Sequence, residues 1–144
     1  MNTLTRSDFV AHLNQLGLEP GDRVCVHSRL LSFGRIEGAV EMVLDRLLDT
    51  LGPNGTLAVP TFTLNLTGSE VFDLRTTPSF GTGALSETVR QHPEARRTNC
   101  PLHSFAAVGP ASDHIVRADP TRPVGPGSAF QIMRDQGFKL ILLG

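Results

Sequence analysis

His103 and Ser104 stand side by side in Cys100-Pro101-Leu102-His103-Ser104-Phe105-Ala106-Ala107-Val108-Gly109, an imidazole and a hydroxyl inside an apolar run. Such a pair can be a general base with its nucleophile, a metal or cofactor contact, or two polar groups satisfied within a core. The first reading is poor. Neighbours on a strand point to opposite faces, and the G-x-S-x-G turn that exposes a nucleophilic serine is absent. The second fails for metals, because the five His and two Cys contain no H-x-x-x-H, H-E-x-x-H or C-x-x-C spacing.

Two other stretches carry similar groups: His27-Ser28-Arg29-Leu30-Leu31-Ser32-Phe33-Gly34 and Pro60-Thr61-Phe62-Thr63. Placed beyond strand ends, their hydroxyls and backbone N–H groups suit phosphates or amides, and so an extended polar cofactor. No G-x-G-x-x-G follows a strand and no G-x-x-x-x-G-K-S/T occurs, which removes the dinucleotide and P-loop readings. A structural alternative stands beside each candidate. His27 and His103 can be held by backbone carbonyls. Ser28, Ser32 and Ser79 can be turn or cap residues, and Gly125-Pro126-Gly127-Ser128 reads more readily as an N-cap than as an anion seat.

These residues need elements to position them. Thr5-Arg6-Ser7-Asp8 has the form of a capping box, and Phe9, Leu13 and Leu16 follow at helical spacing before Gly17. Arg23-Val24-Cys25-Val26-His27 is a short β-branched run that predicts a buried strand delivering His27 and Ser28 to its carboxyl end. Val40, Val43, Leu44, Leu47, Leu48 and Leu51 form a helical stripe ended by Gly52-Pro53. Thr56-Leu57-Ala58-Val59 predicts a second strand halted by Pro60, so that strand, helix and strand make a parallel βαβ unit.

Residues 61–82 have no sustained period and read as a long loop past a strand end, the kind more often functional than idle. A short helix over Ala84–Gln91, the His103-Ser104-Phe105 strand, a helix near Ala111–Val116 and one from Ser128 to Gly137 follow. Lys139-Leu140-Ile141-Leu142-Leu143 closes the chain as an apolar strand before Gly144. A strand of that kind in a parallel sheet needs both faces covered. Left open, it suits association with a second copy or a complementing chain.

The 144 residues fit one domain with a true core. Thirteen basic against fourteen acidic side chains provide no footprint for neutralising phosphates, so nucleic acid is not an expected partner. No stretch approaches a membrane span and the N-terminus has no leader pattern, so a cytoplasmic location is expected, with both Cys reduced.

Six stretches in order resemble the aminoglycoside 3-N-acetyltransferase family, the antibiotic N-acetyltransferases: VCVHSRLLSFG, LGPNGTLAVPTFT, FDLRTTPS, GALSETVR, RRTNCPLHSFAAVG and GFKLILLG. The resemblance implies a three-layer α/β/α sandwich around a mainly parallel sheet, incomplete at its C-terminal end. It implies acetyl-CoA as co-substrate, no metal, and transfer of acetyl to the 3-amino group of an aminoglycoside or to another amine, the chemistry of antibiotic resistance. Carried over by position, Ser28, Arg29, Leu30 and Ser32 would line the pantetheine and phosphate path, with Ser79 and Gly81 nearby. Ser104, Phe105 and Ala106 would complete it, and His103 would be architectural. Two positions depart from the family pattern: Arg29 stands where members commonly have Ser, and Cys100 where they commonly have His. The family's general-base His falls in a segment after L-L-G, so residues 1–144 are expected to be a single CoA-holding domain that stops short of that segment, with no catalytic residue assigned. A non-catalytic or partner-dependent fragment is the alternative reading.

Overall fold

The computed structural model describes residues 3–144. Five strands form the main sheet: β2 (Arg23–Ser28), β4 (Thr56–Pro60), β5 (Arg96–Arg97), β6 (Phe105–Val108) and β7 (Lys139–Leu143), in the order β5-β6-β4-β2-β7. Helices α1 (Arg6–Gln15), α2 (Ala39–Leu51) and α3 (Ala84–Gln91) supply one covering layer, and α4 (Ser112–Ile115) and α5 (Ala129–Asp135) the other. A separate ribbon of two short parallel strands, β1 (Thr3–Leu4) and β3 (Arg35–Ile36), ties the N-terminal segment beside α2.

Strand alternation builds the two cores. Val24 and Val26, Leu57 and Val59, and Ile141 and Leu143 face α1, α2 and α3, together with buried Phe9, Leu13, Val43, Leu47, Leu85 and Val89. Cys25, Ala58, Phe105 and Ala107 face the other way, against Ile115, Ala129 and Met133. Burial pushes the Cys25 thiol up to about 12, which leaves it an inert apolar filler rather than a nucleophile.

The expected three layers are present, and the parallel βαβ unit is β2-α2-β4. The sheet is mainly parallel, as expected, with one reversed strand. β2 pairs in parallel with β4 and β7, but β6 runs antiparallel to both β4 and β5. Pro60 ends its strand, as expected. It lies in β4 opposite Phe105, and the ladder skips its missing N–H to resume at Thr61 N–H to the Ser104 carbonyl (2.8 Å) and Thr63 N–H to the Leu102 carbonyl (3.1 Å). His103 and Ser104 precede β6 instead of lying in it.

Helix signals fared well where a cap was legible. Thr5 and Asp8 form both hydrogen bonds of the capping box on α1, although Leu16 points to solvent and Leu18 takes the buried place after the turn. Ser128 Oγ accepts from Gln131 N (3.2 Å), making it the N-cap of α5. At the open edge, β7 exposes Leu140 (63 %) and Leu142 (72 %), because neither α4 nor α5 extends over it on that face.

Candidate functional site

β6 runs against β4, so its amino end meets the carboxyl ends of β2, β4 and β7. Ser28, Thr61, Ser104 and Leu143 therefore share one rim. The chain passes from β2 to β4 on one side, and β7 returns to the other side of β2. That reversal makes the end of β2 the switch point at which open α/β sheets leave a crevice.

The crevice there is a cavity of about 840 Å³, within the range of small-molecule sites. Its walls come from three segments. Ser28, Arg29, Leu30, Leu31 and Gly34 follow β2; Ile36, Ala39 and Val40 lead into α2; and Gly81, Thr82, Gly83 and Ala84 lead into α3. The lining is mostly apolar, with Arg29 as its cation. Among the described residues no carboxylate pairs Arg29.

Two helix N-termini open on this cavity. α2 starts after Gly38, whose φ of 71° is left-handed, and α3 starts after Gly83, at φ 88°. Neither has a side-chain cap, in contrast to α1 and α5. First turns without side-chain caps leave backbone N–H donors for an anion, although each also carries a carboxylate off the cavity wall, Glu41 in α2 and Glu87 in α3. The Thr82 hydroxyl oxygen, also on the wall, is buried without a hydrogen-bond partner. Backbone donors, an unpaired guanidinium, an orphaned hydroxyl and apolar walls suit a ligand with phosphates at one end and an uncharged arm.

Of the positions singled out from sequence, Ser28, Arg29, Leu30 and Gly81 line this cavity, while Ser32, Ser79, Ser104, Phe105 and Ala106 are off its walls. Ser32 is exposed within the short 3₁₀ turn Leu30–Phe33. Ser79 gives its N–H (3.0 Å) and Oγ–H (2.9 Å) to Glu87 of α3. Ser104 is fully buried: its hydroxyl donates to the Thr61 carbonyl (2.6 Å) and accepts from Arg97 Nε (3.0 Å), with Thr61 Oγ1 also at 3.0 Å. A hydroxyl so occupied is not poised for attack. Phe105 and Ala106 are fully buried, the former edge-on to both Phe62 and Phe130. His103 packs edge-on to Phe62 at 5.0 Å, so the adjacent His and Ser serve different neighbours. His27 lies below its ordinary pKa because it is partly buried.

Sequence reading missed the network beneath the rim. Arg90 makes a bidentate pair with Glu87 (2.9 and 2.5 Å) and also reaches the Arg75 carbonyl (2.6 Å). The Arg90 guanidinium, helped by Ser79 and Gln91 and opposed by burial, holds the Glu87 carboxyl down at about 2. A folded-state value below the unfolded one gives stability that is present above about pH 4.5 and lost as pH falls towards 2. Denaturant midpoints of the wild-type chain should therefore fall between about pH 5 and pH 2, and Glu87→Gln should remove that portion of the fall. Equal pH profiles for the two proteins would refute the assignment. Only the Glu four places after Gly83 hinted at this role.

Among the described residues no group of three or more His, Cys, Asp or Glu is placed to hold a metal ion, and no helix is long and apolar enough to cross a membrane.

Comparison with known proteins agrees with this geometry. The family model for aminoglycoside 3-N-acetyltransferase matches residues 25–144. Aminoglycoside N(3)-acetyltransferase IX of Micromonospora chalcea is 30 % identical over 98 % of this chain and 57 % of its own length. The crystal structure of AAC(3)-IVa apoenzyme superposes with a TM-score of 0.90 at 29 % identity, covering 100 % of this chain and 56 % of that one. The AAC-IIIb binary complex with CoASH shares the fold, with a TM-score of 0.87 at 24 % identity over 98 % of this chain and 59 % of that chain. The chain thus spans a little over half the length of these relatives. Six motifs in family order, a three-layer fold with its crevice at the β2 switch point and a family match reaching from Cys25 to Gly144 converge on one assignment: the chain belongs to the aminoglycoside 3-N-acetyltransferase family.

Proposed function

We propose that these residues form the acetyl-CoA-holding part of an enzyme that transfers acetyl to the 3-amino group of an aminoglycoside. The observation that carries the reading is the convergence of two side-chain-uncapped helix N-termini, α2 and α3, with the unpaired Arg29 on one largely apolar cavity. CoA brings phosphates, which suit the N-termini and the guanidinium, and a pantetheine arm, which suits Leu30, Leu31, Ile36 and Val40. A polycationic aminoglycoside does not suit a cavity whose one cation is Arg29 and whose walls carry no carboxylate. The amine is therefore assigned outside it, approaching the thioester from the far side of the rim.

In the reaction, the amine nitrogen attacks the thioester carbonyl carbon, the C–S bond breaks, and CoA leaves as the thiol. The ammonium must first lose a proton, and a positioned base contributes roughly two to four orders of magnitude to that step. Ser104, buried and hydrogen-bonded, and the inert Cys25 are not placed to carry an acyl group, and direct transfer from acetyl-CoA to the amine is the route proposed.

Calorimetric titration of the 144-residue chain with acetyl-CoA tests the reading. Saturable binding is expected, weakened for acetyl-pantetheine, which lacks the charged end; absence of binding, or equal affinity for the two, overturns it. Thiol release on adding an aminoglycoside in the same sample reports whether transfer accompanies binding. Arg29→Ala should weaken acetyl-CoA binding about tenfold by removing a charge-assisted contact, and should leave acetyl-pantetheine binding unchanged.

A further inference from the structure

Arg97 is a buried cation whose acceptors are all neutral. It is 8 % exposed and gives Nε–H to Ser104 Oγ (3.0 Å), one terminal nitrogen to the Thr61 carbonyl (2.9 Å), and the other to the carbonyls of Thr77 (2.5 Å) and Leu74 (3.5 Å). The Phe72 ring lies 4.7 Å from the guanidinium carbon. Burying a charge against carbonyl dipoles alone is costly unless its hydrogen bonds are satisfied, and here the planar fork meets them on two sides. One side is the sheet rim, Thr61 and Ser104. The other is the long loop, Leu74 and Thr77.

That loop leads directly into the cavity wall. Beyond Thr77 it is pinned by Ser79 on Glu87 and by Phe80 N–H on the Phe62 carbonyl (2.7 Å), and then becomes Gly81 and Thr82. Arg90 grips the Arg75 carbonyl between the two carbonyls Arg97 holds. Without the fork, Thr61 and Thr77 lose their shared donor, and the loop keeps only its anchors on α3 and at Phe80.

We propose that Arg97 is a positioning residue: by bridging the β4–β6 rim to the Leu74–Thr77 segment, it fixes where Gly81 and Thr82 stand on the acetyl-CoA cavity. The inference rests on the reading of that cavity as the CoA site. It differs from a general stabilising role because the expected damage is local to the loop and reaches the ligand.

The experiment compares the wild-type chain, Arg97→Lys and Arg97→Ala by acetyl-CoA titration and by amide hydrogen exchange of residues 72–83, with α2 as the internal reference. In both variants, exchange over 72–83 is expected to rise at least about tenfold and acetyl-CoA affinity to fall about tenfold, since an ammonium cannot reproduce the fork. Protection in α2 should be nearly unchanged. Methylguanidinium added to Arg97→Ala should restore part of both properties, a rescue that a lost packing contact would not show. If Arg97→Ala does not fold, Arg97→Lys, which retains the stem and the charge, decides. Unchanged loop exchange and affinity overturn the proposal, as does a loss of protection shared equally by α2. Failure of the wild-type chain to bind acetyl-CoA would sink the CoA reading instead, and loop exchange alone would then decide whether Arg97 holds the loop.

Discussion

Ala84→Glu is expected to weaken acetyl-CoA binding on the order of a hundredfold while making the protein slightly more stable. Ala84 is exposed at the first position of α3 and lines the cavity, and no side chain caps that helix. A carboxylate in the first turn complements the helix dipole, which is worth about 0.5 kcal/mol at an exposed site. The same carboxylate meets incoming phosphates at short range. With two like charges about 5 Å apart at an effective dielectric near 20, repulsion can lower affinity on the order of a hundredfold, and less at high salt. Thermal melts and titrations at two ionic strengths would read both signs. Ala84→Lys should reverse them, weakening the helix a little and tightening the ligand. If Ala84→Glu gained stability yet bound acetyl-CoA like the wild type, the phosphates could not lie at α3, and the orientation proposed for CoA would have to be abandoned.

Gly109→Ala should cost more stability than any surface change in the chain. Gly109 follows β6 at φ +121°, a conformation that L side chains rarely adopt. A Cβ there would lie 2.2 Å from the Gly55 carbonyl oxygen and 2.8 Å from Thr56 Cα, both backbone atoms that cannot swing aside. Opening this approach would also disturb Thr56 Oγ1, which accepts from Ala111 N at 3.0 Å and so seats the turn into α4. Backbone strain and steric displacement together place the loss at about 3 kcal/mol or more, equivalent to roughly 10 °C in Tm for a domain of this size. Gly68→Ala is the matched control, since nothing lies within 4 Å of its added Cβ and its φ is not in the left-handed range. Similar melting temperatures for the two variants would contradict the packing described. The Gly109 contact sits at the opposite end of the sheet from Ser28, so remaining folded Gly109→Ala should still bind acetyl-CoA with wild-type affinity.

The two substitutions also separate what the linear sequence carries from what it does not. The local elements were legible wherever a physical signal was complete within a dozen residues. Val43, Leu44, Leu47 and Leu51 repeat at helical spacing and stop at Gly52, and they form the buried side of α2. Thr5 with Asp8, and Ser128 before α5, declare helix starts through hydrogen bonds to amides three residues away. The apolar run Lys139–Leu143 is a strand as its composition predicts. The stretch holding Ser28, Arg29 and Leu30 stood out because it follows a strand end, whereas Gly81 was named only through the family resemblance; all four line the cavity.

Tertiary structure decided the rest, and the reason is that the missing information is not local. A buried apolar run reads the same in either direction, so only pairing with β4 shows that β6 is antiparallel and that Ser104 reaches the rim from the strand's amino end. A two-residue strand such as β5 has no period to detect. Whether an arginine is a solvated surface charge or a buried clamp depends on acceptors far away in the chain: Arg97 meets Leu74, 23 residues back, and Thr61, 36 residues back. The exposure of Leu140 and Leu142 likewise follows from where α4 and α5 lie, not from the strand's own residues. By itself the sequence determined where the longer helices and strands lie and which family they resemble, because those properties are written in short-range spacing and motif order. The direction of β6, the cavity between two helix N-termini and the bridging of the loop by Arg97 were decided only in three dimensions, where distant residues compete for the same few hydrogen-bonding partners.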